Sequence, residues 1–162
     1  MPSTEDTIAA IATPIGQAGI GIVRISGPES LEIAKTVFKP KTIQPLFKSH
    51  RLYMGYICDP SSGDIIDEVL LSFMAAPNSY TREDVVEVNS HSGYALLSKI
   101  LAILMSLGAR MARPGEFTQR AFLNGRIDLT QAEAVVDLMN ARSERGLVLA
   151  AQQIRGAIKK DT

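Results

Sequence analysis

A chain of 162 residues with 46% hydrophobic and 21% charged content has the make-up of an ordinary folded protein, with room for one well-cored domain and an appendage but not for two full domains. Its 17 basic residues balance 17 acidic ones, so it lacks the positive excess of a stand-alone nucleic-acid binder. Cys58 is the single cysteine, which excludes an internal disulfide, and MPSTEDTIAA has neither the basic end nor the apolar run of a signal peptide. The expected location is the cytoplasm. The most apolar window, residues 94–107, is too short to span a bilayer of about 30 Å and contains Lys99, so no membrane partner is expected.

In chain order, residues 7–13 form a β-branched and alanine run closed by Pro14-Ile15-Gly16, and residues 19–26, GIGIVRIS, form a second. Both read as strands joined by a turn. The G-x-G of the second run lacks the third glycine of a dinucleotide loop and leads into Val23-Arg24-Ile25 rather than a helix, so that fingerprint is rejected. Glycine within a strand marks a bulge or a close backbone approach. Alternation puts Ile20, Ile22 and Arg24 on one face and Val23 and Ile25 on the other. A cation in an apolar row needs an anion, which is either a neighbouring carboxylate in an ion pair or an anionic ligand.

Residues 28–38 carry proline near a first turn and Leu31, Ala34, Val37 and Phe38 at helical spacing, with Lys39-Pro40 as the stop. Residues 41–49 read as a surface loop. Residues 51–58 and 65–74 form a hairpin around Asp59-Pro60-Ser61-Ser62-Gly63-Asp64. Cys58, with no histidine or second cysteine nearby, reads as a packing residue. In APNSYTREDVVEVNSHSG, residues 76–93, a loop is followed by a strand with Val86 and Val88 on one face and Glu87, Asn89 and His91 on the other. That polar face either meets water or lines a cleft. The two histidines lie in no zinc-binding spacing, and the hydrolase elbow G-x-S-x-G is absent. Ser92 is placed to cap a helix over residues 94–107 that ends at Gly108, and residues 109–112 add a short strand. The expected fold class is α/β (α+β), a mixed sheet with packed helices over residues 1–119, followed by a helical segment over residues 120–162.

Residues 112–133, ARPGEFTQRAFLNGRIDLTQAE, form a junction. A short helix over residues 116–123 lies between Pro114-Gly115 and Asn124-Gly125, and Thr130 to Glu133 fits a capping box. The mixed charges Arg113, Glu116, Arg120, Arg126 and Asp128 suit either a salt-bridged hinge or the wall of a polar ligand site. Beyond it, Ala132, Val136, Met139, Ser143, Leu147, Ala150, Ile154 and Ile158 make one stripe on a single helix of about 30 residues, roughly 45 Å long. Gly146 and Gly156 are points where such a helix breaks most readily.

Three motifs, GIGIVRISG, PNSYTREDVVEVNSHSG and ARPGEFTQRAFLNGRIDLTQAEA, occur in an order and spacing that resemble the N-terminal region of the MnmE (TrmE) family of tRNA modification GTPases. The chain departs from the family pattern at Arg82, where glycine is usual, and at Ser92-Gly93, where a glycine pair is usual. The resemblance implies a fold like the tetrahydrofolate-binding domain of aminomethyltransferases, a homodimer, and a bound 5-formyl- or 5,10-methylene-tetrahydrofolate. It carries folate contacts onto Arg24, Glu87 and Arg126, the last being an arginine where lysine is common. It further implies that GTP, magnesium and potassium, and the partners tRNA and the MnmG-type FAD protein, belong to the full-length enzyme. No G-x-x-x-x-G-K-[ST] occurs in the sequence, so the chain is expected to be a fragment without GTP hydrolysis of its own. Two further readings stand beside this one: a structural dimerisation module in which Arg24 and Glu87 pair with each other, and a free-standing one-carbon transferase.

Overall fold

A computed structural model describes residues 5–43 and 46–156. Strands β1 (Ile8–Ile11) and β2 (Ile20–Ser26) precede helix α1 (Ser30–Val37) and strands β3 (Phe38–Pro40), β4 (Arg51–Cys58), β5 (Ile65–Met74) and β6 (Val85–His91). Helix α2 (Tyr94–Ser106), strand β7 (Arg110–Met111) and helices α3 (Glu116–Leu123), α4 (Leu129–Asn140) and α5 (Glu144–Ile154) complete the chain. It divides into two compact units, Met1–Pro114 and Gly115–Thr162. The division precedes α3, whereas the sequence reading put the boundary inside it.

The first unit is a seven-stranded sheet in the order β3-β4-β5-β6-β2-β1-β7. All its pairings are antiparallel except β1 with β7, so the sheet is mixed, as the α+β reading requires. Both helices of this unit pack on one face. Val23, Ile25, Val86, Val88 and Leu71 turn towards that face and form one core with Ile33, Ala34 and Val37 of α1 and Leu97, Ile100, Leu101 and Leu104 of α2. Alternation of apolar and polar residues in β2 and β6 dictates this arrangement, because only one face of each strand is continuously apolar. Helix α2 ends as expected: Gly108 has φ +117 and Ala109 donates back to the Leu104 carbonyl at 3.2 Å, a left-handed termination.

Two local expectations need correction. Ser92 does not cap α2; Gly93 is the cap residue, its carbonyl accepting from Leu97 at 2.9 Å, while the Ser92 hydroxyl reaches the Gly16 carbonyl. The edge strand β3 was not anticipated, since three residues ending in proline give no alternation to read, and proline in a sheet is confined to such edges.

The second unit corrects the long helix. Its stripe is split at Ala141-Arg142-Ser143, where Ala141 is extended (ψ 129) and the Ser143 hydroxyl accepts from Gly146 at 3.1 Å. The break belongs to a serine followed by an acidic first residue, a helix-start signal that outweighs continuous apolar spacing. Helices α4 and α5 pack on each other, burying Ala134 and Ala150, and Val136, Met139 and Leu147 of the expected stripe stand largely exposed. Ile158 lies outside the described residues. The capping box is also shifted: Asp128 accepts from the Gln131 amide at 2.8 Å and the Gln131 side chain accepts from the Asp128 amide at 3.0 Å. The same side chain donates to the Ile154 carbonyl at 2.7 Å, tying the start of α4 to the end of α5.

The glycine within β2 has a definite cause. A Cβ on Gly21 would lie 2.7 Å from Leu97 Cδ1, and Leu97 is fully buried in α2. Helix and strand approach that closely only because the side chain is missing. Gly21→Ala should therefore destabilise the chain by about 1–3 kcal/mol, the usual cost of overpacking, in a urea titration. In the second unit, Asp128→Ala should cost about 1 kcal/mol of α4 stability, read as faster hydrogen exchange of α4 amides. Thr130→Ala should leave α4 unweakened or stabilise it by a few tenths of a kcal/mol, because Thr130 is not the cap and alanine is the better helix former.

Candidate ligand site on the sheet

Strands β2 and β6 pair so that Arg24 stands directly opposite Glu87, on the face turned away from α1 and α2. The register is forced. Val23, Ile25, Val86 and Val88 are all fully buried, and a slip of either strand by one residue would send its two to the other face. Arg24 Nε donates to Glu87 Oε1 at 2.9 Å, with side-chain exposures of 28% and 22%. The cation noted in the apolar row thus has a carboxylate partner within the chain. Because the pair is only partly shielded, it keeps access to solvent and to any molecule reaching that face.

The loop between β5 and β6 folds over the pair. Ser26, two residues beyond Arg24 on the same strand face, donates to Glu83 Oε1 at 2.8 Å and shares a 2.7 Å hydrogen bond with the Thr81 hydroxyl. A serine has one hydroxyl proton, so with Ser26 donating to Glu83 it is Thr81 that donates to Ser26. The Glu83 amide donates to Thr81 at 3.2 Å, the Gly27 amide to the Asp84 carbonyl at 3.0 Å, and the Ala76 amide to Asp84 Oδ1 at 2.8 Å. These bonds fasten residues 75–84 to the end of β2 and hold the Tyr80 ring over the Arg24 guanidinium, 5.8 Å from its centroid.

The polar row of β6 continues past Glu87. Asn89 donates to the Leu70 carbonyl at 3.2 Å, and Asp67 holds His91 at two points, accepting from its amide and meeting its Nδ1, each at 2.9 Å. Asn89 and His91 border a concavity of about 290 Å³ whose other walls include Ile20, Met54, Glu68 and Leu70. A second, of about 510 Å³, is lined by Glu5, Pro28, Ala76, Glu83 and Asp84. Neither is bordered by Arg24 or Glu87. Glu68 also pairs with Lys41 at 3.1 Å, and that hydrogen-bonded carboxylate raises the lysine's pKa above its ordinary value. Among the described residues no group of three or more His, Cys, Asp or Glu is placed to hold a metal. No described helix is long and apolar enough to cross a membrane.

Of the three residues singled out by sequence, the structure brings Arg24 and Glu87 together. Arg126 belongs to the second unit, exposed on the turn between α3 and α4, where its amide donates to the Ala121 carbonyl at 2.9 Å. Tyr80 and the Ser26–Thr81–Glu83 network were missed. The signal for them was the density of hydroxyl and acidic residues in SYTRED, which local reading assigns to a turn closing on itself rather than on a distant strand.

A two-layer mixed-sheet domain with a paired cation and carboxylate on its uncovered side, continued by a helical hairpin, defines the class to which the chain is compared. Residues 7–126 match the family described as GTP-binding protein TrmE N-terminus, and the chain belongs to that family. It is 57% identical over 158 residues to a tRNA modification GTPase MnmE of Syntrophobacter fumaroxidans, 98% of this chain and 34% of that protein. MnmE proteins of Carboxydothermus hydrogenoformans and Alkaliphilus oremlandii are 54% and 53% identical, each over 96% of this chain and 34% of the relative. The chain thus spans about a third of the length of these relatives.

Arg82, the departure from glycine in SYTRED, has φ +61, a left-handed conformation that costs an L residue roughly 1–2 kcal/mol. Arg82→Gly should therefore raise the thermal midpoint of the first unit, by about 0.5–1 kcal/mol in stability. Arg82→Ala, which keeps the strain, should not.

Proposed function

We propose that this chain is the cofactor-holding and dimerising portion of a tRNA modification GTPase, binding 5-formyl- or 5,10-methylene-tetrahydrofolate with Glu87 as the acceptor for the pterin ring. The observation that carries the reading is the Arg24–Glu87 pair, partly exposed on the side of the sheet that α1 and α2 leave uncovered. A pterin presents a ring N–H and an amino group side by side, a donor pair suited to a carboxylate. A carboxylate has about four lone-pair sites, so Glu87 can keep the Arg24 contact and still accept both donors. Arg24 then fixes Glu87 as an oriented anion. Standing directly across the ladder from Glu87, Arg24 serves the same end of the ligand; the family resemblance carries a third folate contact onto Arg126. The folate supplies a one-carbon unit; the residues of this chain bind and orient it.

The remaining activities in this reading belong to the longer protein. GTP, magnesium and potassium require the phosphate-binding loop that these 162 residues lack, and tRNA and the MnmG-type FAD protein engage the assembled enzyme in the cytoplasm. Homodimerisation is supported by Ile20, Leu52, Met54 and Leu70, exposed by 39–65%, since clustered exposed apolar side chains mark interaction surfaces.

Calorimetric titration of the chain with 5-formyltetrahydrofolate tests the folate reading. Wild type should bind, and Glu87→Gln should weaken binding roughly 10- to 100-fold, the worth of hydrogen bonds to a charged group. Arg24→Ala should weaken it as well. Absence of binding by the folded wild type, or equal binding by all three proteins, would count against it. The closed 2.9 Å contact also suits a purely structural ion pair. A double-mutant cycle on folding stability should then give a coupling of about 0.5–1 kcal/mol between Arg24 and Glu87. Coupling of that size in a protein that binds no folate would make the structural reading the better one.

A further inference from the structure

We infer that Tyr80 is a positioning residue for the candidate ligand site, acting on Glu87 through Arg24; the consequence for ligand binding rests on the folate reading above. An arginine on a strand facing away from the core has several rotatable bonds, and each fixed contact narrows the positions its guanidinium can take. In this chain two directions are constrained. Glu87 Oε1 takes the Nε proton at 2.9 Å, and the Tyr80 ring lies across the guanidinium at 5.8 Å, within the range of a cation–π contact. Tyr80 itself is held in place. Its neighbours Thr81 and Glu83 bond to Ser26 at 2.7 and 2.8 Å, on the same face of the same strand as Arg24. Thr81 and Ser26 are both fully buried, so this anchor is shielded from water.

The chain of contacts therefore runs from the anchored loop through Tyr80 to Arg24 and on to Glu87, and its effect is to limit the directions in which the Glu87 carboxylate can turn. A ligand that donates two parallel hydrogen bonds to that carboxylate gains most from such restriction, because the carboxylate plane need not be ordered on binding. What the contact requires of residue 80 is an aromatic face, not a hydroxyl. Phenylalanine should serve there, and leucine or methionine, of comparable bulk but without a π face, should not.

The test uses the 162-residue chain and two readouts. The first is the Arg24 Nε–H signal in a ¹H–¹⁵N spectrum recorded without folate and assigned by its loss in Arg24→Lys. It should stay sharp in Tyr80→Phe and exchange rapidly with water in Tyr80→Leu and Tyr80→Met. The second is the dissociation constant for 5-formyltetrahydrofolate, which should be unchanged in Tyr80→Phe and about five-fold weaker in the two aliphatic variants, as expected for a partly exposed cation–π contact. Thermal melts establish that each variant is folded, and Tyr80→Met stands in should Tyr80→Leu fail to fold. An Arg24 signal as well protected in the folded aliphatic variants as in wild type would overturn the inference, as would loss of protection in Tyr80→Phe. If wild type binds no folate, the folate reading fails alone, and the Arg24 signal still decides whether Tyr80 positions the pair.

Discussion

The pairing of β2 with β6 is the constraint on which the candidate site depends. Four fully buried valine and isoleucine side chains, two from each strand, must face α1 and α2, and a slip of either strand by one residue would turn its pair away from them. That register places Arg24 across from Glu87 as a by-product of core packing. Hydrophobic burial thus sets the position of a polar pair that contributes little to stability itself. Each of the four side chains is worth about 1.5–3 kcal/mol when buried, against at most about 1 kcal/mol for a partly exposed cross-strand ion pair.

A second layer of order comes from the loop of residues 75–84. Loops that must cover a sheet face usually do so with apolar residues, but here the fastening is made by hydroxyls and a carboxylate. Ser26 and Thr81 are buried and would be costly if unpaired. The arrangement satisfies them mutually, with each hydroxyl both giving and receiving a hydrogen bond. Such closed polar networks fix geometry more sharply than apolar contacts, because a displacement of an ångström breaks several bonds at once. The left-handed Arg82 within this loop is sustained by those bonds on either side of it.

Much of the first unit was legible because its signals are local. Alternation in β2 and β6, the turn in DPSSGD and the glycine after α2 each depend on a few adjacent residues, and each matches the structure. Gly21 was legible in kind, as a close approach, though not in its partner Leu97, which is 76 positions away by sequence number. The errors fall where two local signals compete. Thr130-x-x-Glu133 fits a capping box as well as Asp128-x-x-Gln131 does, and only the second lets glutamine also reach the Ile154 carbonyl. Apolar spacing through residues 139–147 argued for one helix, and Ser143 with Glu144 argued for two. The packing of α4 on α5 favours two. Arg24 was marked from the strand pattern alone, whereas Glu87 entered as its partner only beside the family resemblance, because register is a property of two strands and neither strand states it.

The helical hairpin shows how far capping can replace a core. Its helices have 12 and 11 residues, lengths at which isolated helices are marginal in water, and the fully buried side chains of the two are alanines. Two alanines give little hydrophobic stabilisation, since a methyl group is worth less than about 1 kcal/mol on burial. The hydrogen bonds at the ends carry correspondingly more weight. Asp128 and Gln131 close the first turn of α4, Ser143 closes the first turn of α5, and the second bond of Gln131 joins the free ends of the hairpin. Gln131 is thereby used through both its oxygen and its nitrogen. Glutamate at that position would keep the capping contact and lose the donor, so the hairpin depends on an amide where the usual box pattern is content with a carboxylate.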